Sequence, residues 1–231
     1  MTTRRRRISW RGVYLGRAGR NSLMSSPPRR RYRAFIFDPV ATAEFSKRIL
    51  ERAAITGALI GTVRTWDVLP TDEQLETKDM DFAVRQEDNV WIEKLLNEMH
   101  IPFGYCEIGG LSVVLPEQGI KVDFVDRRVE WAALFREAIE AAQAEKEVSL
   151  IGSVELLAAP VEYVIAMKLA TARPKDDLII DMLLRSADFD YDRVRDIVCR
   201  HLGIASVYRL DAMALRAGRV VPSRLTGPCR T

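Results

Sequence analysis

The chain has 231 residues, 48% apolar and 29% charged, which is ordinary for a globular protein and long enough for one good core. No apolar run approaches the roughly 20 uncharged residues that cross a bilayer, since the richest, Leu150 to Ala172, is broken by Glu155, Glu162 and Lys168, and no membrane segment is expected. The net charge of +3 hides an asymmetry: eleven of the 35 basic residues, all arginines, fall in residues 1–33, which hold no acid, so the rest carries 24 basic and 32 acidic residues, a net of −8.

Residues 1–33 lack apolar periodicity and have too little hydrophobic content to offset ordering entropy, so a disordered leader is expected. Its arginines suit a nucleic-acid-binding arm. An Arg- and Ser-rich, acid-poor stretch also suits a transit peptide, and an extension upstream of a start at Met24 is a third reading. No apolar segment follows the charges, so it is not a secretory signal; a dispensable tail is the favoured reading.

From residue 34 the elements follow in order. "DPVATAEFSKRILERAAI" reads as a helix, with Asp38 as N-cap, Pro39 at the first helical position and Phe45, Ile49 and Leu50 as its apolar stripe. "TGALIGTVRTW" reads as a turn at Gly57 entering a second helix, and "DVLPTDEQLE" as a polar loop. "KDMDFAV" reads as a strand. "QEDNVWIEKLLNEMH" reads as a helix, with Val90, Ile92, Leu95, Leu96 and Met99 near helical spacing. "LSVVL" and "IKVDFV" flank "PEQG" and give a hairpin signal. "EWAALFREAIEAAQAEKE" is helical, "VSLIG" is a short segment, and 153–203 reads as helical throughout, broken at Pro160 and Pro174. The tail from Ile204 is weakly patterned. The expected fold is α+β: a small mixed β-sheet core over 34–150, flanking helices, a C-terminal helical part over 151–203 and a weakly structured tail over 204–231.

The three cysteines (Cys106, Cys199, Cys229) are far apart and odd in number. They argue against a disulfide framework or zinc knuckle and fit a reducing compartment, with the cytoplasm the expected location. The two histidines, His100 and His201, sit near helix ends and leave little for histidine catalysis.

The chemistry concentrates in carboxylates. In "KDMDFAV", period two puts Asp79, Asp81 and Ala83 on one face and Met80, Phe82 and Val84 on the other, so an apolar anchor holds two carboxylates side by side. In "IKVDFVD", Val122 and Phe124 point one way, Lys121 and Asp123 the other. If the two strands are adjacent, three carboxylates converge. Such charges repel and raise one another's pKa values, and hard divalent cations such as Mg²⁺ or Mn²⁺ relieve that. The bland alternative for a lone Asp-x-Asp is a solvated strand end. On the later helices, Lys168 shares a face with Val161, Val164 and Ile165. It either snorkels to solvent or meets a buried anion. Asp181 either serves a site or pairs with Arg185 at i+4.

These motifs, in this order, resemble the nucleotidyltransferase superfamily with the DNA polymerase β-type fold. The family pattern is Gly-Ser or Gly-Gly at a helix start, a spacer, then Asp-x-Asp, then a third Asp on a later strand; here Gly57-Ala58, Asp79-Met80-Asp81 and Asp123 correspond. The strand entry Thr77-Lys78-Asp79-Met80-Asp81 is similar to the "T-K-D-x-D" of small prokaryotic members related to abortive-infection toxins. "MKLATARPKDDLIIDMLL" matches their helical segment through Lys168, Arg173, Lys175, Asp176 or Asp177, and Asp181. Ala58 replaces the usual second glycine or hydroxyl residue, the spacer to Asp79 is long, and Asp177 and Asp181 are four apart rather than three.

The resemblance implies transfer of a nucleoside monophosphate from a nucleoside triphosphate to an acceptor hydroxyl, with release of pyrophosphate. It implies metal ligation by Asp79, Asp81 and Asp123, phosphate contacts from Gly57, Ala58, Arg64, Thr77 and Lys78, nucleotide contacts from Asp177 and Asp181, and charge neutralisation by Lys168. Arg64 and Lys78 are otherwise simply solvated. The acceptor is left open among tRNA, a protein hydroxyl and a small molecule; an antitoxin partner and nucleic acid contact through the leader are further expectations. The alternative is a catalytically silent member acting as an antitoxin-like interaction module.

Overall fold

The computed structural model describes residues 35–127 and 131–222; the expected disordered leader lies outside the described residues. The first helix forms as the sequence dictates. Asp38 accepts a hydrogen bond from the Ala41 N–H at 2.9 Å, and Pro39 opens α1 (Pro39–Ala53). α1 ends where Ala54 turns left-handed, its N–H closing on the last helical carbonyls.

Five strands build the main sheet: β1 (Ala58–Ile60), β2 (Met80–Ala83), β3 (Phe103–Tyr105), β4 (Leu111–Leu115) and β5 (Ile120–Val125). Their spatial order is β1-β2-β5-β4-β3. β2 and β5 run parallel at the centre, and the other neighbours are antiparallel. Register sets Asp81 beside Asp123, with Met80 beside Val122 and Phe82 beside Phe124. The expected hairpin is β4–β5, turned by a short 3₁₀ segment at Pro116–Gln118 and by Gly119 at φ 69°.

The sheet is covered on both faces. Met80, Phe82, Val122 and Phe124 are fully buried with Phe45 and Ile49 of α1 and with Ile92 and Leu96 of α3 (Asn89–Glu98). The Phe82 and Phe124 rings stack with centroids 6.0 Å apart. Burying each such side chain contributes about 1.5–3 kcal/mol, so β2 and β5 are held firmly behind their aspartates. On the other face Ala58, Ile60, Ala83 and Val125 join one core with α4 (Ala132–Glu145) and α5 (Val161–Thr171). The aspartates share that face.

Several elements differ from the sequence-based expectation. Gly57 does not enter a helix. It precedes β1, and the short α2 (Gly61–Thr65) starts four residues later. Val90 points to solvent, 65% exposed, rather than joining the stripe of α3. "VSLIG" and the start of 153–203 form a two-stranded hairpin, β6 (Val148–Ile151) and β7 (Val154–Leu157), turned at Gly152 with φ 62°. Three helices follow α4 in the expected stretch: α5, α6 (Pro174–Ser186) and α7 (Tyr191–Leu202). The weakly patterned tail is an ordinary helix, α8 (Ile204–Arg216), burying Val207, Leu210, Met213 and Ala214. Cys106 is a free thiol, whereas Cys199 is disulfide-bonded, contrary to the expectation that the cysteines form no disulfide framework. No helix among the described residues is long and apolar enough to cross a membrane.

Candidate active site

The face of the two central parallel strands that carries the aspartates opens into a cleft of about 430 Å³. Asp79, Asp81 and Asp123 line it on the sheet side. Lys168 and Thr171 of α5, with Arg173, Lys175 and Asp176 at the start of α6, line it on the helix side.

Asp81 and Asp123 are cross-strand neighbours, and Asp79, two residues before Asp81 and just ahead of β2, lines the same cleft. Burial pushes the Asp81 carboxyl up to about 7, the charges of Asp79 and Asp123 adding to the rise while Lys168 and Arg173 work against it. Asp123 is also raised, by burial and by the charge of Asp79, despite a hydrogen bond from Ser112 and the pull of Lys121. Its Oδ1 is buried with no hydrogen-bond partner. Asp79 behaves differently. Burial would raise it, but Lys121 donates to Oδ2 at 2.9 Å and the Thr77 hydroxyl to Oδ1 at 2.9 Å, and these hold it below the usual carboxylate range.

Gly61 explains how Asp81 can sit against the backbone. A Cβ on Gly61 would lie 2.2 Å from Asp81 Oδ2, and its φ is 75°. Glycine is needed there both for space and for backbone conformation. Thr62 follows and also lines the cleft.

The basic wall has its own support. Lys168 is only 6% exposed and donates to Asp176 Oδ1 at 3.3 Å. It therefore meets a buried anion rather than snorkelling. Burial lowers its pKa, and the charge of Asp176 pulls the other way. Asp176 also accepts from the Thr171 hydroxyl and Arg173 Nε, each at 2.6 Å. Burial alone would raise Asp176, yet those bonds and the Lys168 charge hold it low. Arg173 and Lys175 are exposed at the rim.

The remaining expected site residues lie elsewhere. Gly57 packs against Leu50 and Val84, and Ala58 is fully buried in β1; neither lines the cleft. The glycine-plus-hydroxyl pair beside the aspartates is Gly61-Thr62. Arg64 is a buried strut, 2% exposed, tying α2 to the Ala159 carbonyl at 2.8 Å, to Glu147 at 2.7 Å and to Asp67 at 3.0 Å. All three bonds consume donors, so it is neither solvated nor on a phosphate. Thr77 touches the site through Asp79, while Lys78 is exposed outside the cleft. Asp177 pairs with Arg209, and Asp181 pairs with Arg185 at 2.9 Å; both are away from the cleft. The helical aspartate that lines the cleft is Asp176.

Among the described residues, cysteine and histidine lie apart from the cleft lining. Cys106 is a poor nucleophile, its thiol pushed up to about 12 by burial and by the charges of Asp123 and Asp81. His201 bonds Glu137 at 2.7 Å and His100 is exposed; neither lines the cleft.

The donor set fits a hard divalent cation: carboxylates only, two of them raised by crowding and burial, one with a buried oxygen left over. The side chains do not form a closed cage. Among the described residues no three carboxylate, thiol or imidazole groups are placed to ligate one ion together, and both oxygens of Asp79 are engaged by Lys121 and Thr77.

No protein-family model matches the chain, and no curated protein does. Among solved structures it is similar to the antibiotic-resistance factor ANT(2'')-Ia, with 12% identity, a TM-score of 0.39, and coverage of 78% of this chain and 94% of that one. It is also similar to JHP933 from Helicobacter pylori, with 14% identity, a TM-score of 0.35, and coverage of 78% and 93%. A third likeness is to an H. pylori protein described as a candidate nucleotidyltransferase, at 14% identity, TM-score 0.35, and coverage of 78% and 91%.

Proposed function

We propose that the cleft binds a nucleoside triphosphate together with Mg²⁺ or Mn²⁺ and transfers the nucleoside monophosphate to an acceptor hydroxyl, releasing pyrophosphate. One observation carries the reading: Asp81 and Asp123 stand abreast on adjacent parallel strands, with Asp79 beside them, facing a wall of Lys168, Arg173 and Lys175 across one cleft. Carboxylates opposite cations suit a substrate whose phosphates need both metal and direct positive charge.

Asp79, Asp81 and Asp123 would hold the metal. Bound there, it would supply Lewis acidity at the reacting phosphate and favour deprotonation of a bound hydroxyl. Asp123, with its unpartnered Oδ1, is placed to orient the acceptor hydroxyl or take its proton. Lys168 presents a buried ammonium to charge developing on the phosphate, and Arg173 and Lys175 would grip the leaving pyrophosphate at the rim. Asp176 is a positioning residue that holds Lys168 and Arg173 in place.

The test is calorimetric titration of each nucleoside triphosphate into the full chain with and without Mg²⁺, beside an Asp79→Asn/Asp81→Asn variant. Metal-dependent binding by the parent and none by the variant is the expected result. A second reading, a silent interaction module of the same fold, draws on the engaged state of Asp79; it takes over if a folded parent binds no nucleotide at any metal concentration.

A further inference from the structure

The sheet register places a fourth charge in the carboxylate group. Asp81 lies beside Asp123, and one step toward the strand starts Met80 lies beside Val122. Just ahead of β2, Asp79 reaches the Lys121 side chain of β5. Asp79 and Asp81, at the entry and in the body of β2, and Lys121 and Asp123 of β5 therefore make a four-cornered cluster of three carboxylates and one ammonium. The Lys121 Nζ sits 2.9 Å from Asp79 Oδ2, with both side chains about 30% exposed. The Thr77 hydroxyl takes the other Asp79 oxygen at 2.9 Å.

We infer that Lys121 is the resident counter-charge of this cluster, pairing with Asp79 and competing with a divalent cation for it. The inference rests on the proposed metal-dependent reading and deepens it. Three observations converge. Asp79 has no oxygen left uncommitted. Asp123 keeps a buried oxygen without a partner on the neighbouring corner. No three-ligand set is assembled among the described residues, although the backbone register already brings all three carboxylates to one face. The Lys121 and Thr77 bonds therefore occupy the corner that a three-carboxylate donor set would draw on. An ammonium is a compact, strongly hydrated point charge on a flexible stem, so it can withdraw without moving the strand. Its neutralisation of Asp79 would keep an otherwise repulsive cluster tolerable without metal, at the expense of metal affinity.

The test reads metal binding itself. Mn²⁺ is titrated into the full-length parent, Lys121→Met, Lys121→Gln and Lys121→Arg, with free Mn²⁺ followed by electron paramagnetic resonance. Thermal melts are taken in chelator and in Mn²⁺. The neutral variants are expected to bind Mn²⁺ roughly tenfold tighter, the size of effect one partly screened unit charge produces near a surface site. They should melt lower than the parent in chelator and gain more from Mn²⁺. Lys121→Arg should keep the parent's affinity, because it keeps the charge. If Lys121→Met does not fold, Lys121→Gln carries the comparison. Parent binding of Mn²⁺ with equal or weaker binding by the neutral variants overturns this inference alone. Absence of Mn²⁺ binding by the folded parent and all variants overturns the metal-dependent reading, and this inference with it.

Discussion

Asp81 shows most directly what one residue's surroundings do to its chemistry. The same carboxyl that titrates near 4 in an unfolded chain is pushed up to about 7 here, by burial first and by Asp79 and Asp123 next. Because the folded value lies above the unfolded one, the stabilising contribution is fully present below the unfolded pKa and is lost as pH rises through about 7. In chelator the parent should therefore weaken progressively between roughly pH 4 and pH 8. Asp81→Asn cannot ionise, so it should be more stable than the parent above neutrality, by on the order of a few kcal/mol, with the gap closing toward acid. Melting curves across that range check it. An Asn variant less stable than the parent at every pH would mean that the Asp81 carboxylate is not under repulsive load. Added Mg²⁺ should restore the parent and leave the variant unmoved.

At the scale of elements, the α5–α6 junction is the clearest unit. Pro174 starts α6 immediately after α5 ends at a left-handed Ala172, and this brings Asp176 back onto Lys168 of the preceding helix. Asp176 is 1% exposed and satisfies three donors, from Lys168, Thr171 and Arg173. Asp176→Ala would leave a buried ammonium unpaired, at a cost of about 3–5 kcal/mol. Replacing both ends, with Lys168→Met and Asp176→Leu, should recover much of that loss, while Mg²⁺-nucleotide binding stays weak because the cation facing the phosphates is gone. Urea unfolding of Lys168→Met, Asp176→Leu and the double variant gives the coupling energy. Additive losses would show that the pair does not work as a unit.

The elements also show what the sequence displays and what it conceals. β2 and β5 are legible because a polar residue falls between apolar ones, β4 because it is rich in apolar and β-branched residues, and the Pro-Glu-Gln-Gly turn marks the hairpin. Asp79, Asp81 and Asp123 are legible for the same reason, as carboxylates framed by buried neighbours. β1 is hidden because all three of its residues are buried, so no alternation exists. That masks the start of α2 and shifts the glycine of interest from Gly57 to Gly61, whose positive φ and close approach to Asp81 have no sequence signature. β7 carries the alternation Val154, Glu155, Leu156 after a Gly-Ser turn, but the helices beyond Pro160 dominate the local pattern. Arg64 and Asp176 depend on contacts between distant segments: Arg64 reaches Glu147 and Ala159, and Asp176 could be told from Asp177 only by which side of α6 faces α5.

On the scale of the whole molecule, charge is divided between two parts of the chain. Residues 34–231 carry the net of −8 and include the cleft, while eleven arginines without a single acid precede them. An acidic body repels polyanions, and an arginine cluster attracts them by releasing counterions. Deleting residues 1–33 takes the formal net charge from +3 to −8. The compact unit from Phe35 onward contains every cleft residue, so the truncated chain should melt as the parent does and bind Mg²⁺-nucleotide with unchanged affinity. Its affinity for a random single-stranded RNA should fall steeply, and the dependence of that affinity on salt should flatten, by about 0.7 in log–log slope for each arginine–phosphate contact removed. Fluorescence anisotropy at several salt concentrations measures both. A truncated chain that keeps its RNA affinity and salt slope would place the polyanion contacts on the basic wall of the cleft, and Lys168, Arg173 and Lys175 would then have to serve acceptor as well as nucleotide.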